Sequence, residues 1–190
     1  MNAAAQQVDW EGIEFRTGSA GTVSYAIIDY AANSTGISIS NASPTIEFTT
    51  IRNCLLGLNL YYSSSIIRDC ILTDNEDAVI DRYSAAQYLD NTIRESQAGL
   101  GEGYGLFFLD SDPVLFRNLI HDNVSVGIYA LATSYVELGS SSETGNNVIA
   151  NNSHGISSSG PNTYVYVGAY PSWGGDNSVY DNTPYDASGL

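Results

Sequence analysis

Thr49-Thr-Ile51-Arg-Asn-Cys54-Leu-Leu-Gly57-Leu58 carries both signals that decide the fold. An apolar residue sits among short polar ones, and six residues later a glycine precedes another apolar residue. The second signal returns as Gly36-Ile37, Gly105-Leu106, Gly127-Ile128 and Gly155-Ile156, with Ala78-Val79 filling a gap. The spacings are 57 − 36 = 21 and 78 − 57 = 21, then 27, 22 and 28. The first signal returns as Asp69-Cys-Ile71-Leu-Thr-Asp74, Asn91-Thr-Ile93-Arg-Glu-Ser96, Asn118-Leu-Ile120-His-Asp-Asn123, Asn147-Val-Ile149-Ala-Asn-Asn152 and Asn177-Ser-Val179-Tyr-Asp-Asn182. A degenerate first copy lies over Val23 to Tyr30. The chain is a repeat with a basic period of about 21–22 residues and about seven units.

Within each unit the apolar residues alternate with period two, in short β-branched or aromatic runs broken by Gly, Asn, Ser and Pro, so the units are strands and not helices. Two or three such strands per unit make one coil of a parallel β-helix, and each coil stacks about 4.8 Å above the last. The fold class expected is therefore all-β: a right-handed parallel β-helix solenoid of about seven coils, one domain over residues 1–190. Residues 1–9 form a lead-in, and the irregular spacings place insertions near 99–104, 133–146 and 160–175. Inward ladders are expected along Ile37/Leu58/Val79/Leu106/Ile128/Ile156 and Ile51/Ile71/Ile93/Ile120/Ile149/Val179. The Asn and Asp columns belong at corners, where short polar side chains tolerate left-handed backbone and bond to main-chain groups.

Composition narrows the function classes. Of 190 residues, 21 are Asp or Glu and 6 are Arg, with no lysine, for a formal net charge of −15. Phosphate neutralisation by a basic face is not available, so neither nucleic acid nor anionic lipid is an expected partner. No apolar run approaches the roughly 20 residues of a membrane span, so no membrane insertion is expected. Cys54 and Cys70 read as free, partly buried thiols.

Trp10-Glu-Gly-Ile-Glu-Phe15, Val23-Ser-Tyr-Ala-Ile-Ile-Asp-Tyr-Ala31, Ser43-Pro-Thr-Ile46, Asp112-Pro-Val-Leu115 and Gly174-Gly-Asp-Asn-Ser-Val-Tyr-Asp-Asn182 resemble the right-handed parallel β-helix repeat domains of secreted bacterial proteins, of the pectate-lyase-like kind. The resemblance spans nearly the whole chain. It implies an extracellular or cell-surface location. It also implies a choice among polysaccharide lyases, glycoside hydrolases, and adhesive or structural modules. Its lyases use a Lys or Arg base with calcium-bridging acids, and its hydrolases use clustered aspartates.

Against that pattern, the acidic segment Asp74-Asn-Glu-Asp-Ala-Val-Ile-Asp-Arg82 is the one place where several carboxylates approach an arginine. Asp81 and Arg82 are the catalytic candidates if the chain is an enzyme, and Asp74, Glu76 and Asp77 the candidates for Ca²⁺, the one cofactor considered. Asp81 falls where other coils are apolar, and strand alternation turns Arg82 the other way. Without lysine, a zinc spacing or a nucleophile elbow, the reading favours a module without catalysis.

The outward positions after each glycine are Ser38/Ser40, Asn59/Tyr61, Ile80/Arg82, Phe107/Leu109, Tyr129/Leu131 and Ser157/Ser159. Tyr61, Arg82, Phe107 and Tyr129 thus mark an apolar strip suited to stacking on sugar rings or docking a protein. The alternative is that the insertion at Gly99 to Tyr104, or the one near Gly139, folds over it. The expected partner is a polysaccharide or surface glycan, or other β-helix segments joined end to end.

Overall fold

The computed structural model describes residues 10–31, 34–140, 143–166, 177–182 and 185–188. Three parallel sheets of eight, seven and seven strands run along one axis. The first sheet collects the strand after each glycine, such as Thr35–Ser40, Leu56–Tyr61, Asp77–Arg82, Leu106–Leu109 and Val126–Leu131. The second collects three-residue strands such as Thr45–Glu47, Ile66–Arg68 and Gln87–Leu89, and the third those such as Thr50–Arg52, Ile71–Thr73 and Thr92–Arg94. Every strand pairs in parallel with the equivalent strand of the next coil, which is the wiring of a β-solenoid. The expected lead-in at residues 1–9 and residues 167–175 of the third expected insertion lie outside the described residues.

The first ladder stands as Ile13, Ile37, Leu58, Val79, Leu106, Ile128 and Ile156 in mutual register. The second differs in one coil. Leu72, not Ile71, pairs with Ile51 and Ile93 and is fully buried, while Ile71 faces outward, 42% exposed. The reason is that the inward polar residue of that coil is Asn75. Asp74 takes the left-handed corner, so the strand before it is set one residue later.

Three corners turn each coil, and each puts one residue at positive φ. The columns are Asn41/Tyr62/Tyr83/Asp110/Ala132, Tyr25/Phe48/Asp69/Asp90/Arg117/Asn146, and Tyr30/Asn53/Asp74/Glu95/Asp122/Asn151/Asp181. Asn and Asp are at home there, but Tyr25, Tyr30, Phe48, Tyr62 and Tyr83 are not, since a Cβ in this region crowds the following carbonyl. The residue that follows the left-handed position, or in one coil the second after it, points inward and satisfies the turning backbone. At one corner the backbone N–H of Asn91, Asn118 and Asn147 each donates to the side-chain oxygen of the next coil's asparagine, at 2.9–3.0 Å. At a second, Cys54 donates to Asn75, Ser96 to Asn123, and Asn123 to Asn152. At the third, serines do the same: Ser63 to Ser84, Ser84 to Ser111, Ser111 to Ser134. These columns meet the requirement that buried backbone groups be paired where the sheets break.

Both cysteines are free and occupy asparagine positions in these columns. Each thiol donates to a carbonyl two residues back, Cys54 to Arg52 at 3.2 Å and Cys70 to Arg68 at 3.1 Å. Burial raises both pKa values, that of Cys70 to about 11, so they act as small core residues.

Candidate ring-lined surface site

Register in the first sheet builds the outward strip as two rows. One runs Ser38, Asn59, Ile80, Phe107, Tyr129, Ser157, and the other Ser40, Tyr61, Arg82, Leu109, Leu131, Ser159. Serines bound the apolar stretch at both ends. Ile80 is only 5% exposed, whereas Tyr61 is 40% exposed. An insertion follows Ser96 and is tied to the coil that carries Ile80. Glu76 accepts from the backbone N–H of Leu100 (2.5 Å) and Gly101 (2.7 Å), and Asp77 from those of Glu102 (3.2 Å) and Tyr104 (2.9 Å). Burial raises the Asp77 pKa although these N–H groups oppose the shift. The loop so tethered lays Tyr104 on Phe107 (centroids 5.5 Å apart, 28° between planes) and beside Tyr129 (5.5 Å). The insertion therefore adds a ring to the strip.

A second group of rings begins at Tyr61. Its ring meets Tyr62 edge-on at 4.5 Å and Tyr83 at 5.6 Å, while Tyr62 and Tyr83 stack at 5.1 Å and 19°. Tyr62 and Tyr83 are the left-handed corner residues that end two successive strands, 52% and 40% exposed. Beside them a groove of about 350 Å³ is lined by Tyr62, Tyr83, Ser64, Ala85, Asp110 and Asp112 among others. Sequence reasoning missed Tyr62, Tyr83, Asp110 and Asp112 because strand alternation stops at the corner. The signal available was a tyrosine directly after each of positions 61 and 82, one period apart.

Arg82 lies in the row between Tyr61 and Leu109, with Nη1 donating to Asn59 Oδ1 at 3.2 Å. The other five arginines each pair with a carboxylate, for example Arg52 with Asp29 and Arg117 with Asp90. Among the described residues Arg82 has no acidic partner. Its candidate catalytic companion is on the other side of the sheet. Asp81 is 0% exposed and occupies the core ladder between Leu60 and Phe108. Tyr88 donates its hydroxyl to Asp81 Oδ2 at 2.8 Å, and Ser111 donates to Oδ1 at 3.2 Å. Burial raises the Asp81 pKa to about 6 despite these bonds, and pushes the Tyr88 phenol up as well. Asp81 and Arg82 are thus not brought together, and no solute on the surface can reach the carboxylate.

The calcium candidates hold the chain instead. Glu76 and Asp77 each tether the 99–104 loop through one carboxylate oxygen, while Asp74 takes the Thr73 hydroxyl at 3.0 Å. Among the described residues no group of three or more His, Cys, Asp or Glu side chains is gathered for a metal. A groove of about 660 Å³, open to solvent, runs along the corner column of Asp74, Glu95, Asp122, Asn151 and Asp181.

A parallel β-solenoid with a ring-bearing face is the class of protein that this geometry defines. The chain belongs to the right-handed β-helix family: residues 5–142 match the family described as a right handed beta helix region. No curated protein matches the chain significantly. Membership fixes a scaffold on which structural, binding and enzymatic proteins are all built, so function rests on the site.

Proposed function

We propose that the chain is a non-catalytic carbohydrate-binding or adhesive β-helix module that works outside the cell or at the cell surface. The carrying observation is two groups of partly exposed rings spread over consecutive coils, Tyr104, Phe107 and Tyr129 along the outward strip and Tyr61, Tyr62 and Tyr83 at its corner. Pyranose rings present flat C–H faces that stack on such side chains, and a tyrosine hydroxyl adds a hydrogen-bonding edge. Arg82, with no acidic partner among the described residues, contributes donors for sugar hydroxyls at the middle of the strip. The absence of catalysis is supported by the burial of Asp81 and by the use of Glu76 and Asp77 as loop tethers.

A glycan array, run beside reducing-end and unsaturated-product assays on a polysaccharide panel, tests this reading. Retention without turnover is expected, with binding lost in Tyr129→Ala and Phe107→Ala while the fold persists by circular dichroism. Product release by the wild type, or retention indifferent to both variants, would overturn it.

A further inference from the structure

The geometry points to a ligand that bears primary amines: a hexosamine polymer with free amino groups, held with an amine in the groove between Tyr83 and Asp110. This assignment rests on the glycan-binding reading above and names the chemistry of its ligand. The corner column that stacks Tyr62 on Tyr83 continues with Asp110, so the third place in the stack holds a carboxylate instead of a ring. Tyr83 N–H bonds to Leu109 O at 2.9 Å, which fixes Asp110 one coil above the Tyr83 ring.

The two carboxylates of the groove are held rigid and only half used. Asp110 Oδ1 accepts from Thr133 N–H (3.2 Å) and from its hydroxyl (2.6 Å), and Asp112 Oδ1 accepts from Tyr135 N–H (3.2 Å). All these donors lie on the far coil, and the second oxygen of each carboxylate takes no hydrogen bond among the described residues. Neither carboxylate joins an ion pair there, and no basic residue lines the groove. Arg82 is turned toward Asn59, on the preceding coil. An ammonium group in this groove has the Tyr83 ring and the Asp110 and Asp112 carboxylates in its walls, which supply cation–π attraction and charge-assisted hydrogen bonds. Ser64, exposed at the groove's edge, offers a hydroxyl group to the rest of the sugar. The net charge of −15 draws a polycation toward the whole surface, while the fixed groove gives one amine a definite place. The groove, at about 350 Å³, holds a sugar unit and not a folded partner.

Isothermal titration of the full chain tests the assignment with three probes: a glucosamine oligomer, the N-acetylated oligomer of the same length, and a lysine oligomer of matched charge. The glucosamine oligomer is expected to bind about tenfold or more tighter than its N-acetylated form. That margin is expected to vanish in Asp110→Asn/Asp112→Asn, which keeps the Oδ1 acceptors and hence the fold. Tyr83→Leu is expected to weaken the glucosamine oligomer in the same direction without altering the carboxylates. Equal binding of the two sugar oligomers would overturn amine recognition and leave the glycan-binding reading in place. Tighter binding of the lysine oligomer, abolished by the same aspartate variants, would overturn it in favour of a cationic peptide. Binding of none of the three would also overturn it, and the glycan array then decides the broader reading separately.

Discussion

Ala78 and Ser96 are expected to be energetically coupled, because they are the two departures that meet in one coil. Ala78 holds the place of Gly57 and Gly105, as the pairing of Val79 with Leu58 and Leu106 shows. Ser96 holds the place of Asn75 and Asn123. In the coils on either side, a Cβ added at Gly57 would come 3.0 Å from the Asn75 amide nitrogen, and one at Gly105 the same distance from that of Asn123. The separations agree, 75 − 57 = 18 and 96 − 78 = 18, so a methyl at 78 stands where the column needs its short side chain. The shortness leaves a mark: Ser96 Oγ is the one buried side-chain oxygen or nitrogen without a partner among the described residues. Ser96→Asn would add a bond from the amide to Leu72 O, as Asn75 makes to Ile51 O at 3.0 Å, and one accepted from Asn75 N–H. Two such bonds contribute about 1–3 kcal/mol. Pressing the amide on the Ala78 methyl opposes this by about 1–3 kcal/mol, so the single variant is expected to be near neutral. Ala78→Gly alone destabilises by about 0.5–1 kcal/mol. The pair together should exceed the sum of the singles by about 1–2 kcal/mol, a shift of roughly 2–8 °C in Tm relative to additivity for a chain of this size. Urea unfolding followed by far-UV circular dichroism gives the cycle, and amide exchange at Asn75 reports the new bond. Additive singles, or a fully stabilising Ser96→Asn without the glycine, would refute the reasoning.

The buried Asp81 makes stability depend on pH. Its folded pKa, about 6, lies above the ordinary 3.8 because burial penalises the anion, so the fold prefers the protonated form. Stability is expected to rise as pH falls from about 6 to about 4, and to be lost as pH climbs back through that window, by an amount on the order of 3 kcal/mol at most. Asp81→Asn should flatten this component, so the difference between wild-type and variant urea midpoints across pH 4–8 checks it; parallel curves would sink it. Asp77→Ala should free the 99–104 loop by removing the acceptor for Glu102 and Tyr104, a loss of about 1–3 kcal/mol local to the loop. Proteolysis there, with global unfolding little changed, is the readout, and an unchanged cleavage rate would count against the tether. Cys54 and Cys70 should resist a thiol reagent until the chain unfolds, since both are buried and their thiols donate to carbonyls. Fast labelling of the native protein would contradict this.

Much of the fold was legible in the sequence because a solenoid repeats its solution. The glycine-apolar pairs set the register of the first sheet without error, since the close approach of the next coil's carbonyl favours glycine there, with alanine in one coil. At Gly57 that carbonyl, Ala78 O, would lie 2.5 Å from an added Cβ. Strand alternation also placed Tyr61, Arg82, Phe107 and Tyr129 outward on one face, and Asp81 inward. It failed where alternation itself ends. Ile71 and Leu72 are equally apolar, so their order was decided by which neighbour, Asp74 or Asn75, turned out at the corner.

The site was decided by contacts between coils, which no local pattern encodes. Tyr62 and Tyr83 join the ring cluster only because backbone bonds from each to the next coil hold them at positive φ. Asp81 finds Tyr88 across two sheets, although seven residues of chain separate them. Glu76 and Asp77 look like cation ligands in the sequence, and become loop anchors once the 99–104 insertion folds back onto their coil. The amino-acid sequence by itself determined a period, a set of inward ladders and a face. Tertiary structure alone decided which polar groups are satisfied within the chain, and hence which carboxylates and rings are left for a ligand, because that depends on hydrogen bonds between residues a full coil apart.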